Sequence, residues 1–400
     1  MKSICNSTRY KKTILVLNYT RWNSLQRGVH QYCKRFAERF NVVYVPHPPD
    51  RKGIAKREHI SPVPILKIIR AGLYELIWPF WCLNLYRGGK KIQSTLTKIR
   101  TDIAKYLIAH KELGPINFIY VTHPYMFPYL RYFPKETKIY HAFDQYSHYD
   151  GTENKAISTL EKQFLPDFDW VFCSSKKLVD EKRPINPMTS YLPNGVDYDL
   201  YSKARRDSTR IPQEFNSITQ PVVGYVGLIS GKIDFDVIRD LVRKRKDWSF
   251  VFVGPLQLSN RDSFLFDNLT KESNFFYLGY KPPYLLPNYL KSFRAGIMPY
   301  RLSGHVPWVF PLKLYEYMAA GIPSVASDLE SIEAIEGVVY KAHSLAQWIF
   351  YLEKALEESD NVRLVRTRQE IAATNTWDHR VREFFNILKG SSTFHVDFSK

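Results

Sequence analysis

The chain has 400 residues, 44% hydrophobic and 24% charged, which is more than one hydrophobic core usually organises, so we expect two domains. Lys and Arg number 57 against 39 Asp and Glu, and the net charge of +18 favours an anionic partner such as phosphate, nucleic acid or an acidic membrane. The 4 cysteines lie far apart without a CxxC pair, which argues against a zinc site and a disulfide scaffold and favours a reducing cytoplasm.

The first half of the chain alternates between apolar strands and amphipathic helices. Thr13–Asn18 reads as a buried strand, Arg27–Phe40 as a helix and Val42–Val45 as a second strand, which together form an α/β unit. The alternation continues as in a parallel sheet, with further strands predicted at Phe118–Thr122, Lys138–His141, Trp170–Cys173 and Thr189–Leu192.

The most apolar stretch is Leu73–Leu85, which is too short for the roughly 20 residues that a membrane-spanning helix needs. Cations flank it, including Arg70 and Lys91, so it fits an interfacial anchor, and it equally fits an aromatic helix in the core. The apolar run Thr13–Leu17 is too short for a signal peptide. We expect a cytoplasmic protein, with peripheral contact to the inner face of an anionic membrane under the first reading.

A polar, irregular segment, Tyr201–Gln220, separates this series from a second α/β series. We therefore predict a first domain at 1–205, a second at 206–376, and a closing helix at about 377–400 that returns to the first. The predicted elements of the second series are the strand PVVGYVG, the helix Asp234–Lys244, the strands Ser249–Val253, Asn274–Leu278 and Ala295–Met298, the helix Leu312–Ala320, the strand Ser324–Ala326, and two helices within Ser344–Ala373.

A glycine-rich turn follows the first strand of this second series. Gly227, Ser230, Gly231 and Lys232 lie between the strand and the next helix. Glycines let a phosphate approach the backbone, amides donate to its oxygens, and the lysine can neutralise it. The spacing is neither GxGxxG nor a P-loop, so it also fits a simple strand-to-helix turn.

A second segment, Phe310–Asp328, places Pro311 and Leu312 at the start of a short helix and Gly321 just past its end. Lys313 and Glu316, three residues apart, share one helix face. A diphosphate would meet the positive helix start and the lysine, while the carboxylate would accept hydrogen bonds from ribose hydroxyls. The same spacing also fits an exposed ion pair.

The string PLKLYEYMAAGIPSVASD resembles the hallmark segment of retaining GT-B glycosyltransferases of the family 4 type, which include bacterial polysaccharide and teichuronic-acid enzymes. The resemblance implies an α/β fold of two Rossmann-like domains facing a central cleft, with acceptor in the first and nucleotide sugar in the second. Other segments resemble the family in the same order along nearly the whole chain: RGVHQYCKRFAERFNVVYV, YHAFDQYS, YLPNGVDYDLY, GYVGLISGKIDFDVIRDLVRKRKDWSFVFVGP and NTWDHR.

The resemblance also implies a donor site. Gly227, Ser230, Gly231 and Lys232 would border the diphosphate together with Pro311, Leu312 and Lys313, Tyr280 would flank the base, and Glu316 would bind the ribose.

His123 occupies a position where such enzymes often place a histidine facing the reacting sugar, and with Lys232 and Lys313 it forms the predicted catalytic set. A structural histidine fits equally well, and His141, His30 and His305 compete for the role.

The family often carries two glutamates eight residues apart. Glu316 matches the second, but Trp308 stands at the first position. The first acid usually lies near the transferred sugar, so its replacement leaves the retaining or inverting outcome open. Gly304–Pro307 is expected to form that wall instead. Some relatives with a P-x-K-x-x-E helix also lack this acid, so we read Trp308 as a subfamily trait.

Three D-x-D strings begin at Asp167, Asp197 and Asp234 and could in principle hold a divalent cation. We read Asp234 as a helix cap and Asp197 as part of a turn, and expect neither a metal nor a cofactor. No nucleic-acid module appears, so we expect no nucleic-acid partner.

These features predict a glycosyltransferase (EC 2.4) that takes a sugar from a nucleoside-diphosphate donor such as a UDP- or GDP-sugar. The acceptor would be a glycan or a lipid-linked glycan in surface-polysaccharide synthesis. Two alternatives remain: a nucleotide-sugar epimerase on the same fold, and a non-catalytic glycan- or lipid-binding protein.

Overall fold

The computed structural model describes residues 12–22, 28–49, 61–79, 82, 90–148 and 153–390. The chain divides into two compact units. Unit 1 comprises Met1–Pro193 and Val381–Lys400, and unit 2 comprises Asn194–Arg380.

The described residues of unit 1 form an eight-stranded sheet in the order β3-β4-β2-β1-β5-β6-β7-β8. Neighbours are parallel except β3 and β4, which form an antiparallel pair at one edge. β1 lies between β2 and β5, so the strand order reverses beside it. The strands are Thr13–Asn18 (β1), Asn41–Pro46 (β2), Ile65–Arg70 (β3), Leu73–Ile77 (β4), Ile116–Val121 (β5), Thr137–Ala142 (β6), Trp170–Cys173 (β7) and Thr189–Tyr191 (β8).

Helices of unit 1 join these parallel strands, as parallel pairing requires. Their bounds are Gly28–Phe36 (α1), Lys90–His110 (α2), Lys155–Phe164 (α3) and Lys176–Lys182 (α4), with 3₁₀ helices at Pro124–Tyr132, Tyr146–His148 and Leu165–Asp167.

The stretch Leu73–Leu85 is not a helix where the structure describes it. Leu73–Ile77 is strand β4, which pairs with β2 and β3, and Trp78 is buried with its indole nitrogen donating to Pro46 O at 2.7 Å. Burial on both faces favours a strand here. The predicted core location is therefore right for these residues, the predicted helix is wrong, and buried residues cannot serve as the interfacial anchor of the other reading. Residues 80–81 and 83–85 lie outside the described part of the chain.

Unit 2 contains a six-stranded parallel sheet in the order β13-β11-β9-β14-β15-β16 and a short β10-β12 pair. The order reverses at β9, which lies between β11 and β14. The strands are Val222–Val226 (β9), Ile229–Ser230 (β10), Ser249–Val253 (β11), Leu256–Gln257 (β12), Phe275–Tyr277 (β13), Ala295–Met298 (β14), Ser324–Ser327 (β15) and Val339–Ala342 (β16).

The helix after β10 buries one apolar stripe, which consists of Phe235, Ile238, Leu241 and Val242. The helices are Tyr198–Tyr201 (α5), Phe235–Lys244 (α6), Asn260–Leu269 (α7), Leu286–Leu290 (α8), Leu312–Ala319 (α9), Leu345–Glu357 (α10) and Val362–Ala373 (α11), with 3₁₀ helices at Ser202–Arg205, Gln213–Ser217, Pro283–Leu285 and Val306–Trp308.

The closing helix, Trp377–Lys389 (α12), runs from unit 2 into unit 1. Its Phe384 and Phe385 rings lie 5.2 Å and 5.5 Å from the ring of Phe36 in unit 1. Within unit 2, Trp377 N donates to Val196 O at 3.2 Å.

The units divide at 193/194 and 380/381, whereas the sequence placed the boundaries at 205/206 and 376/377. The first difference arises because the start of the predicted linker packs on unit 2. Arg205 donates from Nε to Ala320 O at 3.1 Å and from Nη2 to Gly321 O at 2.9 Å, which fastens this segment to the end of α9.

A buried ion pair joins two helices of unit 1. Lys182 Nζ lies 2.8 Å from Glu161 Oε1, and the two side chains are only 4% and 9% exposed. The same carboxylate oxygen accepts a hydrogen bond from Tyr140 OH at 3.1 Å, and the lysine donates to Gln145 Oε1 at 3.3 Å. Removing one partner would leave a buried, uncompensated charge.

We expect Lys182→Met to lower the free energy of unfolding by about 3–5 kcal/mol, because Glu161 would lose its buried counter-charge. The matched control is Lys98→Met, which removes an exposed pair with Asp102 and should cost less than about 1 kcal/mol. Urea denaturation followed by tryptophan fluorescence measures both. Equal losses in the two variants would contradict this account of the pair.

Candidate functional site

The chain leaves the central strand of unit 2 through a glycine that no other residue could replace without strain. Gly227 has φ +131, and a Cβ atom at this position would lie 2.4 Å from Nζ of Lys313. Gly254, after the neighbouring β11, has φ +148, and a Cβ there would lie 2.0 Å from Gly227 O. The turn backbone therefore packs directly against a lysine ammonium, where a side chain at either position would intrude.

That lysine comes from the start of α9. The helix cap is Pro311, whose side chain makes no capping hydrogen bond, so the positive helix start is not satisfied by its own cap residue. Lys313 is only 8% exposed, and its Nζ lies 4.8 Å from the centroid of the Tyr225 ring. Burial, reinforced by the charge of Lys232 and opposed by that of Glu316, lowers the pKa of Lys313 to about 7.

Glu316 lies one turn further along the same helix. Its Oε1 accepts a hydrogen bond from Tyr201 OH at 3.0 Å. Burial raises the pKa of Glu316, against the opposing effects of the Lys313 charge and the Tyr201 hydrogen bond. Because Lys313 is buried, the alternative reading of these residues as an exposed ion pair is wrong.

A second lysine, Lys232, follows the glycine turn and contacts Tyr300 and Arg301. The Lys232 ammonium lies 5.5 Å from the Tyr300 ring centroid, and Lys232 O accepts from Arg301 N at 2.8 Å. Arg301 also donates from Nη1 to Gly231 O at 3.2 Å and from Nη2 to Oδ1 of Asp262 at 2.9 Å. Asp262 is 4% exposed, so the arginine ties the turn to a buried carboxylate.

The remaining donor-site candidates lie next to the glycine turn or at the start of α9, and they differ in how exposed they are. Ser230 pairs with Gln257 in the β10–β12 ladder, directly before Gly231. Gly254 N donates to Gly279 O at 2.9 Å, which brings the segment containing Tyr280 beside the glycine turn, and Tyr280 itself is 58% exposed. Pro311 is buried and Leu312 half-buried at the helix start.

His123 belongs to unit 1, whereas Lys232 and Lys313 belong to unit 2. It caps the 3₁₀ helix Pro124–Tyr132, and its Nδ1 accepts from Tyr125 N at 3.2 Å. Of its competitors, His141 is fully buried with its Nδ1 2.6 Å from Tyr120 OH, and burial lowers the pKa of His141 to about 3. His30 is also buried, and His305 lies in unit 2.

The position eight residues before Glu316 is Trp308, in the 3₁₀ helix Val306–Trp308. The aspartates of the D-x-D strings serve local structure. Asp234 caps α6 by accepting from Asp236 N and Val237 N, and Asp197 caps α5 by accepting from Leu200 N. Asp169 Oδ2 accepts from Lys138 N at 2.7 Å. Within the described ranges, no group of three or more His, Cys, Asp or Glu residues could hold a metal ion.

The sequence did not single out three of these residues: Tyr201, Arg301 and Asp262. Tyr201 ends the segment YLPNGVDYDLY, which carries part of the family resemblance and was the available signal. The other two act through contacts between distant parts of the chain.

Comparison with known proteins found a family model, a related sequence and solved structures that resemble this chain. Residues 220–357 match the family model described as Glycosyl transferases group 1. A Bacillus subtilis protein assigned as a teichuronic acid biosynthesis glycosyltransferase, TuaH, is 32% identical over 239 residues, or 57% of this chain and 59% of that protein. The match thus spans less than two thirds of the relative.

Solved structures share the fold at low identity. Sucrose-phosphate synthase from Thermosynechococcus elongatus aligns with a TM-score of 0.71 at 13% identity, over 95% of this chain and 98% of that one. HepE of Anabaena, solved in complex with UDP, aligns with a TM-score of 0.65 at 15% identity, over 95% and 100% of the two chains. The predicted α/β fold of the GT-B class, with two Rossmann-like domains, is confirmed.

The fold is of the GT-B class, and the match to the family model lies within the unit that carries the two lysines. The match to the family model includes Glu316 as well as Lys232 and Lys313. No helix in the described part of the chain is both long and apolar enough to span a membrane.

The turn that carries Lys232 should be less stable locally when Arg301 is removed. We expect Arg301→Met to speed amide hydrogen exchange at Gly231 and Lys232 by about tenfold or more, because hydrogen bonds to charged groups contribute about 1.5–3 kcal/mol. Arg243→Met, which removes an exposed ion pair with Glu272, is the control and should leave these amides unchanged. Unchanged exchange in Arg301→Met would show that the turn does not need this support.

Proposed function

We propose that the protein transfers a sugar from a nucleoside-diphosphate sugar, with UDP as the first choice of nucleotide, to a glycan or lipid-linked acceptor in surface-polysaccharide synthesis. The observation that carries the proposal is the buried Lys313 ammonium, which lies against the Gly227 backbone. A buried cation is costly unless an anion compensates it, and a diphosphate is such an anion.

The chemistry follows from where negative charge develops. When the bond between the sugar and the diphosphate breaks, the departing nucleoside diphosphate gains charge. Lys313, Lys232 and the amides at the start of α9 would stabilise that charge in a site fixed in advance by Gly227 and Arg301. Two lysines and a helix start can supply the neutralisation that a divalent cation supplies elsewhere, so we propose that transfer needs no metal.

Glu316 would hold the ribose. A carboxylate offers about four acceptor positions, and Tyr201 occupies one of them. The hydrogen bond from Tyr201 also fixes the orientation of the carboxylate before a ligand arrives. The exposed Tyr280, beside the glycine turn, would flank the base. The choice of UDP is supported by the UDP complex of the HepE neighbour.

Trp308 favours a second candidate, a binding protein that retains the donor site without turnover. The family resemblance favours a retaining reaction, but Trp308 places no carboxylate at the position of the first acid. Transfer from a UDP-sugar, with the anomeric configuration of the product read by NMR, would separate a retaining enzyme, an inverting enzyme and a binding protein. Conversion of the donor sugar without an acceptor would indicate an epimerase.

We expect Lys313→Ala to reduce turnover of the donor by about 10²–10³-fold, the usual cost of removing one donor that stabilises a developing charge. Glu316→Ala should weaken donor binding by about tenfold, because the ribose hydroxyls would lose a charged acceptor. The measurement is release of UDP from UDP-sugars.

Lys354→Ala and Glu336→Ala are the matched controls, since these residues form an exposed pair in the same unit. The controls should keep full activity. Normal turnover in both Lys313→Ala and Glu316→Ala, with circular dichroism unchanged, would refute the assignment of the site.

The affinity for UDP should pass through a maximum between about pH 6 and pH 7. The terminal phosphate of UDP ionises with a pKa of about 6, which raises affinity up to that pH. Above pH 7, Lys313 increasingly loses its proton in the free protein, because burial lowers its pKa to about 7. The affinity should then fall by up to about tenfold per pH unit.

Calorimetric titration at pH 5.5 to 9 would measure this dependence. Lys313→Arg keeps a positive charge throughout the range and should remove the alkaline fall. Wild-type affinity that rises between pH 7 and pH 9 would contradict the proposed role of Lys313.

The β3 edge of the unit 1 sheet exposes apolar and cationic side chains, which would suit an enzyme whose acceptor is anchored in a membrane. Ile65 and Ile68 on the edge strand β3 are 42% and 66% exposed, and Val63, just before this strand, is 57% exposed. The exposed cations Lys67 and Arg70 also lie on β3. Apolar side chains among cations suit the interface of an anionic bilayer. We propose that this edge contacts the membrane while the enzyme acts on a lipid-linked acceptor.

Vesicles of phosphatidylcholine with phosphatidylglycerol should co-sediment the wild-type protein, and Ile68→Asp should weaken binding by about fivefold or more, because it buries less apolar surface and adds a negative charge. Val362→Asp changes an 82% exposed residue of unit 2 in the same way and is the control. Equal binding of both variants would refute this surface.

A further inference from the structure

Unit 1 carries a group of aromatic rings just beyond the carboxyl ends of its parallel strands. Tyr19 follows β1, His47 follows β2, His123 and Tyr125 follow β5, and Tyr146 follows β6. These residues are called the aromatic cluster.

The rings of the aromatic cluster contact one another. Tyr19 stacks on His123 with ring centroids 4.6 Å apart and an interplanar angle of 23°. His123 lies 4.4 Å from Tyr146 and 5.2 Å from Tyr125, and Tyr19 lies 5.0 Å from His47. Loops after different strands therefore converge to build one continuous aromatic surface.

The aromatic cluster lies at the part of the sheet where proteins of this architecture usually bind ligands. The strand order reverses beside β1, which pairs with β2 on one side and β5 on the other. Open α/β sheets bind ligands outside the carboxyl ends of their strands at such a reversal. Tyr19 and His123 follow the two strands that flank this point.

The rings are accessible rather than part of the core. Tyr19 keeps 38% of its surface exposed although it touches His47, His123 and Tyr125. The other members are half-buried. Partly exposed aromatic rings that converge in a crevice are typical of ligand sites.

The chemistry of these side chains suits the ring of a sugar. An aromatic face carries negative charge density, and the C–H bonds on one face of a pyranose present a weakly positive, apolar surface to it. The phenol hydroxyls and imidazole nitrogens at the ring edges can hydrogen-bond to sugar hydroxyls. A cationic ligand would also suit aromatic faces, but the net charge of +18 disfavours it. A nucleobase would suit them too, but the proposed nucleotide site lies in unit 2.

We propose that the aromatic cluster binds a pyranose ring of the acceptor, so that the acceptor is recognised through a sugar and not only through a lipid or phosphate group. This inference rests on the proposed glycosyl transfer. It assigns Tyr19 and Tyr146 to the acceptor by stacking, alongside His123.

Saturation-transfer NMR tests the proposal with a panel of methyl pyranosides: glucoside, galactoside, mannoside, N-acetylglucosaminide and glucuronide. Irradiating aromatic protons of the wild-type protein should transfer saturation to the ring C–H protons of at least one of them. Tyr19→Leu should weaken that signal about three- to tenfold, while Tyr19→Phe, which keeps the aromatic face, should largely restore it.

Tyr106→Leu removes a tyrosine of unit 1 that is 65% exposed, and this control should retain the wild-type signal. The thermal shift caused by UDP should be the same in Tyr19→Leu as in the wild type. Absence of a signal with every pyranoside, or an unchanged signal in Tyr19→Leu, would overturn the proposal. A pyranoside signal without any UDP shift would instead refute the proposed donor site and leave the sugar site standing.

Discussion

The proposed donor site depends on one buried ammonium group. Lys313 lies beneath the turn at Gly227, with the Tyr225 ring beside it and Glu316 on the next turn of its helix. Burial pulls its pKa down to about 7, so the free protein holds this charge at a cost. Gly227 is needed because any side chain there would occupy the place of the ammonium. A bound diphosphate would compensate the buried charge of Lys313, so the free-energy cost of holding that charge in the free protein would become a gain on binding.

The sheets of both units share a reversal of strand order, but the residues that follow it differ in chemistry. Each sheet reverses its strand order beside its first parallel strand, β1 in unit 1 and β9 in unit 2, and each carries its distinctive residues just after that strand. In unit 2 these are a glycine turn and lysines, which suit phosphate. In unit 1 they are aromatic rings, which suit the apolar face of a sugar. This difference is the basis for the proposal that unit 2 binds the donor and unit 1 the acceptor.

Local sequence patterns predicted most strands of the fold, whereas contacts between residues far apart in the sequence could not be predicted. The strands Thr13–Asn18, Trp170–Cys173 and Ser249–Val253 were located to the residue, because buried apolar runs between turn signals identify strands. The Tyr201–Glu316 bond joins residues 115 positions apart, and Arg301 meets Asp262 across 39 positions, so no local spacing indicates either contact. The prediction of Lys313 came from the helix start and the resemblance, but its burial required the structure.

The most direct test of the central claim is a thermal-shift titration with UDP, GDP and ADP in the presence of EDTA. A ligand that binds only the folded state stabilises it by about 2.7 kcal/mol at 100 times its Kd, which corresponds to a rise in Tm of about 3 °C for a chain of 400 residues. The account predicts such a rise with one nucleoside diphosphate, and its loss in Lys313→Met. No rise with any of them, or a rise of the same size in Lys313→Met, would contradict it.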